Sequence, residues 1–242
     1  IHGVMNTDNM TLSGETIDYG PCAFMDAYDP RTVFSSIDHM GRYAYANQPD
    51  IAQWNLARLA ETMLPLLDDE IEKAADTTEE AVNGFGALYK DKWLSMMRAK
   101  LGLFGARAED ESLITDLLDW MQRAGADYTN TFRHLTEEKP PQGKPYNDKT
   151  FKEWYTRWQA QLAKNTKPLK SSLSLMRANN PAVIPRNQKV EQVLDAATNG
   201  DLKPLKDLLT ALQEPYKNRS DLKPYQSPPK PEERFYQTFC GT

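Results

Sequence analysis

The chain has 242 residues, enough for one large domain or two small ones, and for a sizeable core without disulfide or metal staples. Its formal charge of −5 and pI near 5.4 argue against a nucleic-acid binder, which carries a basic footprint, and no run approaches the ~18 apolar residues of a membrane span. Two cysteines, Cys22 and Cys240, exclude a disulfide scaffold and, with no targeting signal in view, point to a reducing, cytoplasmic setting.

The chain begins at Ile1, and Ile1 to Asn9 has neither the basic start nor the apolar core of a signal peptide. The expectation is a fragment or a processed product. Residues 1–50 are rich in Gly, Asp, Asn, Thr, Ser and Tyr and weakly periodic. Ser13-Gly14 stands between two short β-prone runs, Met10-Thr11-Leu12 and Glu15-Thr16-Ile17-Asp18, which predicts a small hairpin. A long loop follows to Pro49, ordered by its aromatic residues.

From Asp50 the period is helical. Pro49-Asp50 starts a helix with Leu56, Leu59, Met63 and Leu66 on one face. Thr77 with Glu80 fits a capping box opening a helix through Trp93 toward Leu101. Leu113, Ile114, Leu117, Leu118 and Met121 form the stripe of another helix, closed near Gly125. Thr150 with Glu153 is a second capping box, before a helix carrying Phe151, Trp154, Tyr155, Trp158 and Leu162. Weaker helices are predicted at 168–178, 188–198 and 201–213, the last interrupted or started by Pro204. The Trp and Met residues on these stripes read as core. Residues 136–149 and 213–233 are polar and Pro-rich, unsuited to a helix interior.

His2, His39 and His134 are too scattered for a zinc site, and no HExxH, CxxC or Gly-x-Ser-x-Gly appears. Gly84-Phe85-Gly86 lies within a helical pattern and is no dinucleotide loop. The exception is His2-Gly-Val-Met-Asn-Thr-Asp-Asn9 followed by Asp18-Tyr19-Gly20. Magnesium takes hard oxygen ligands and keeps several waters, so an Asn before a hairpin and an Asp after it suffice beside substrate phosphates. Protein kinases use this layout, His-Arg-Asp-x-x-x-x-Asn, hairpin, Asp-Phe-Gly. His2 to Asn9 has that seven-residue step, but the catalytic Asp slot holds Val4, and an extra acid, Asp8, precedes the Asn. The competing reading is structural: Asp8 and Asn9 cap a turn and Asp18 ends a strand.

The residues His2 to Met10, Thr16 to Pro21, Asp38-His-Met-Gly-Arg-Tyr43, Asn47-Gln-Pro49 and Trp54-Asn-Leu56 closely resemble the selenoprotein O family. The chain ends Phe239-Cys240-Gly241-Thr242, and that family places a selenocysteine or cysteine third from the end. The resemblance is densest over residues 1–66, the helical remainder matching in character more than in motif. It implies a protein-kinase-like fold that binds ATP in a flipped orientation and transfers AMP to Ser, Thr or Tyr hydroxyls of proteins. Uridylylation, UMP transfer from UTP, is attributed to bacterial members. Carried onto this sequence, Asn9 and Asp18 match the metal and nucleotide-binding ligands, and Asp8 the catalytic acid/base. The implied cofactor is magnesium or manganese, with ATP as co-substrate.

The family's N-terminal lobe, with its glycine-rich loop, phosphate-binding lysine and partner glutamate, has no counterpart here. The resemblance therefore implies a C-terminal half that is inactive alone and partners that missing lobe. In some relatives the terminal cysteine pairs with one in the loop after the metal Asp. Here Cys22 is the only thiol available to Cys240, and an inert tail cysteine is the alternative. The same resemblance makes Arg42 and Tyr43 candidates for shaping the acceptor side, against a structural pairing of Arg42 with Asp38.

The expected fold is mainly α: a protein-kinase-like C-lobe over 1–135 with a short N-terminal β-hairpin, then a C-terminal helical extension and Pro-rich tail over 136–242. The expected partners are nucleotide and protein substrates, with no nucleic acid and no membrane. Competing functions are a catalytically inactive pseudokinase scaffold, favoured by Val4, and a phosphotransferase using Asp8 as a displaced base.

Overall fold

The computed structural model describes residues 3–15, 23–137 and 139–230. Among them the fold is mainly helical, with no β-strand and one isolated antiparallel bridge, Ala27 to Asp127. No helix among the described residues is long and apolar enough to cross a membrane. The chain divides into two compact units. Of the described residues, the first comprises 3–15, Ala23 and Pro30–Trp93, and the second Phe24–Asp29 with those from Leu94 to 230.

In the first unit, α1 spans Gln48–Leu67 and α2 spans Ile71–Lys100, running on into the second unit. Pro49 sits in the first turn of α1, where its missing N–H costs nothing, as its sequence position predicts. The leucine stripe of α1 is only partly covered: Leu56 and Leu59 are half-buried, whereas Met63 and Leu66 are exposed. Small residues, Ala57 and Ala60 of α1 with Ala75 and Val82 of α2, line an open groove between the two helices. Gln53 Nε2 donates to the Val82 carbonyl at 3.1 Å across that pair.

The capping box at Thr77 is not a helix start. The Thr77 and Thr78 hydroxyls donate back to the carbonyls of Lys73 and Ala74, which satisfies them within a continuing helix. The chain turns earlier, where Asp68 Oδ1 accepts from the Glu70 N–H at 2.9 Å.

No strand stands on either side of Ser13-Gly14 among the described residues, and most of the second arm of the expected hairpin lies outside them. The turn exists, with the Gly14 N–H donating to the Thr11 carbonyl. Thr11 Oγ1, however, accepts from the Ser13 N–H at 3.0 Å, and Ser13 Oγ from the Glu15 N–H at 3.3 Å. These local bonds satisfy the turn's own donors. The second arm from Thr16 to Asp18, and both cysteines, lie outside the described residues.

In the second unit, α3 spans Glu109–Ala124, α4 Tyr128–His134, α5 Lys149–Ala163, α6 Leu169–Asn179, α7 Asn187–Thr198, α8 Lys203–Leu212 and α9 Lys223–Gln226. Gly125 ends α3 in the left-handed region at φ 59°, and its N–H caps the carbonyls of Met121 and Gln122. Pro204 stands in the first turn of α8, so it starts rather than interrupts that helix.

The second capping box is displaced: α5 begins at Lys149, with Asp148 at the N-cap position. The Asp148 carboxylate accepts from Trp120 Nε1 at 2.9 Å instead of closing the box. α4 carries no apolar stripe long enough to read. Asp127 starts it by accepting from the Asn130 N–H at 2.7 Å.

The tryptophans at 120, 154 and 158 are buried core, as expected. Trp154 and Trp158 donate to the carbonyls of Leu113 and Leu101 at 2.8 and 2.9 Å, so each indole N–H is satisfied where it is buried. Tyr146 anchors the polar stretch 136–149 to this cluster, its ring against Trp120 and Phe151 and its hydroxyl 3.1 Å from Thr131 Oγ1. Residues 24–29 join the same unit through Arg186, which is 1% exposed and paired with Asp26 at 2.5 Å and Asp127 at 2.6 Å.

Candidate functional site

The His2 to Asn9 segment enters the first unit tightly. Gly3 adopts φ +85°, and a Cβ there would collide with Cβ of Phe34, which is itself buried. Val4, in the slot of the kinase Asp, is buried, so that position offers solvent no reactive group. Its carbonyl accepts from Asn9 Nδ2 at 3.0 Å.

Asn6 then caps a single 3-10 turn, Thr7–Asn9, closed by the Asn9 N–H on the Asn6 carbonyl at 2.9 Å. Two side chains from elsewhere in the unit hold this turn, and a third supports one of them. Asn55, buried in α1, donates Nδ2 to the Met5 carbonyl at 3.0 Å and to Met10 Sδ at 2.8 Å, gripping the chain on both sides of the turn. Its Oδ1 is buried without a hydrogen-bond partner, a cost accepted for the clamp. Tyr43 donates its hydroxyl to Asn6 Oδ1. Asp38 sets Tyr43 in place by accepting the backbone N–H groups of Arg42 and Tyr43, both at 2.8 Å.

Asp38 thus engages the backbone of Arg42 and not its guanidinium, which corrects the expected ion pair. The guanidinium stands over the Trp54 ring at 5.0 Å and the Tyr43 ring at 5.7 Å, and Arg58 flanks the same indole at 5.1 Å.

Two predicted site residues, Asp8 and Asn9, stand on this turn. Asp8 is exposed on the turn, with no hydrogen bond or ion pair among the described residues. Asn9 is half-buried, and because its Nδ2 is engaged by Val4, its Oδ1 is the atom left for a ligand. Asp18 and His2 lie outside the described residues. Sequence reasoning missed the clamp of Asn55 and the tether of Tyr43. A lone Asn within the apolar run of α1 was the available signal for the first.

The chemistry of this pair is that of hard oxygen donors. Among the described residues no three His, Cys, Asp or Glu side chains converge as a metal site. The Asn9 amide oxygen is a hard donor of the kind magnesium or manganese takes, with few protein oxygens and retained water, rather than one zinc prefers.

Comparison with known proteins adds to this geometry. The family model of protein adenylyltransferase SelO matches residues 1–213. The chain is 63% identical over 243 aligned residues to a protein nucleotidyltransferase YdiU of Nitrosococcus oceani, covering all of this chain and 49% of that protein. Identity is 56% to the protein of the same name from Alcanivorax borkumensis and 54% to one from Clostridium botulinum, each over all of this chain and 50% of the relative. The chain spans about half the length of the curated relatives it matches.

Proposed function

The chain belongs to the protein adenylyltransferase SelO family, and from that premise we propose that it carries the metal-binding and acceptor-activating part of a protein nucleotidyltransferase with a kinase-like C-lobe. The observation that supports this most is the Thr7–Asn9 turn, which carries an uncommitted carboxylate and a free amide oxygen on a clamped backbone.

In this reading Asn9 and Asp18 hold a divalent cation, magnesium or manganese, which when bound neutralises charge on the nucleotide phosphates. Asp8 accepts the proton of an acceptor Ser, Thr or Tyr hydroxyl. The hydroxyl oxygen forms a bond to the α-phosphorus of ATP. The bond from that phosphorus to the bridging oxygen breaks, and pyrophosphate leaves. Exposure of Asp8 suits a base that must reach a hydroxyl on another protein. Asn55 and Tyr43 position the turn that carries Asp8 and Asn9.

The released product tests this. Pyrophosphate with AMP left on protein supports nucleotidyl transfer, whereas ADP with phosphate left on protein marks phosphoryl transfer. The relatives' names specify nucleotidyl transfer without a base, so UTP is assayed beside ATP. The burial of Val4 favours a second reading, a pseudokinase scaffold. It would bind nucleotide with magnesium and release neither product. The chain of residues 1–242 by itself is expected to transfer nothing, and labelled AMP appearing on protein with that chain alone would overturn this.

A further inference from the structure

The second unit holds a cavity of about 660 Å³, within the size range of small-molecule sites. Arg133, Arg219 and Lys223 line it with a single carboxylate, Glu137, in a chain of net charge −5. Its wall is therefore positive against an acidic background.

The two arginines are held differently. Arg219 lies 3.8 Å from Glu214 and 3.3 Å from Asp221. Arg133 is 6% exposed and donates only to neutral acceptors, Nη1 to the Asn180 carbonyl at 2.8 Å and Nη2 to the Tyr216 carbonyl at 3.3 Å. Its Nε is buried with no hydrogen-bond partner. Among the described residues no carboxylate lies within ion-pairing distance of it, Glu137 included.

The same unit shows how a buried guanidinium is normally compensated. Arg186 is met by Asp26 and Asp127. Its Nε also lacks a partner, so the difference between the two arginines is the counter-charge. Burial has stripped hydration from Arg133, Arg177 repels it, and Glu137 attracts it only from beyond ion-pairing distance. An anion entering the cavity would supply that counter-charge.

We propose that this cavity is a binding site for a small phosphate-bearing molecule, with Arg133 providing the buried charge and Lys223 the rim contact. The site is independent of the Asp8–Asn9 turn and of the reading of that turn as catalytic.

The test is a titration of the full chain with inorganic phosphate, at ionic strength held constant with chloride, followed by NMR of the histidine rings. His134 lines the cavity and His39 does not. The expected result is saturable movement of the His134 signals below about 1 mM phosphate, with His39 unmoved. Arg133 also ties two backbone segments, so the informative variant is Lys223→Glu at the exposed rim. It should weaken binding about tenfold or more without changing the melting temperature. Binding should persist in Asp8→Ala, which separates this site from the proposed catalytic turn. Absence of saturation at His134, binding unchanged in Lys223→Glu, or binding lost in Asp8→Ala would each overturn the proposal.

Discussion

Asn55 on α1 donates to the carbonyl of Met5, 50 residues earlier in the chain, at 3.0 Å, and the same nitrogen reaches Met10 Sδ. One buried amide thus holds both ends of the turn that presents Asp8 and Asn9. Asn55→Ala removes the donor and leaves the Met5 carbonyl without it, at a cost of about 1–3 kcal/mol in denaturant unfolding. Tyr43→Phe removes only the hydroxyl on Asn6, and should cost about 1 kcal/mol. If the turn is the reactive element, both variants lose transfer in a protein of the relatives' full length. Full transfer in Asn55→Ala would show that the clamp does not position the chemistry.

How much of this was legible depends on sequence separation. α3 was readable because Leu113 to Met121 repeats at helical spacing and Gly125 stops it. The Thr77 box misled because a threonine hydroxyl can bond backward inside a helix as well as forward at its start. α4 is too short to show a period and is marked only by Asp127 three residues before Asn130. At the site, Asp8 and Asn9 were legible because they are adjacent and chemically distinctive. The bonds of Asn55 and Tyr43 to this segment were not, since their partners lie 50 and 37 residues away, although Tyr43 stood out for the acceptor side.

Lys100 gives stability a pH dependence. Burial lowers its pKa from 10.5 to about 8, its Nζ donating to the Asn179 carbonyl at 3.2 Å near the Phe132 ring. Below about pH 8 the lysine is charged in both the folded and unfolded states, and the burial penalty is fully present. Between there and 10.5 the unfolded state holds more protons, so stability rises with pH, by at most about 3 kcal/mol. Burial raises the pKa values of Tyr146 and Tyr155, which opposes the gain once tyrosine in the unfolded chain ionises above about pH 10. Urea unfolding at pH 7.5 and 9.5 should show the rise in the parent chain and a flatter profile in Lys100→Met. Equal slopes would contradict it.

Asp127 does two things at once. Its carboxylate pairs with buried Arg186, and Oδ1 caps α4 at the Asn130 N–H. Asp127→Ala should therefore destabilise by about 3–5 kcal/mol, because it strips a partner from a buried charge. Asp127→Asn can keep the cap and should cost less. The comparison is read from urea midpoints at constant slope, and equal losses would deny the capping role.

The central claim is that the Asp8–Asn9 turn performs nucleotidyl transfer. Its most direct test is intact-mass analysis of the protein at the relatives' full length, incubated with ATP and magnesium, beside Asp8→Ala and Asn9→Ala. Asp8 is exposed and unpaired, so its substitution should leave stability within about 0.5 kcal/mol. The account predicts an added mass of one AMP in the parent protein, lost in both folded variants. An added phosphate in place of AMP, or AMP addition undiminished in Asp8→Ala, would contradict it.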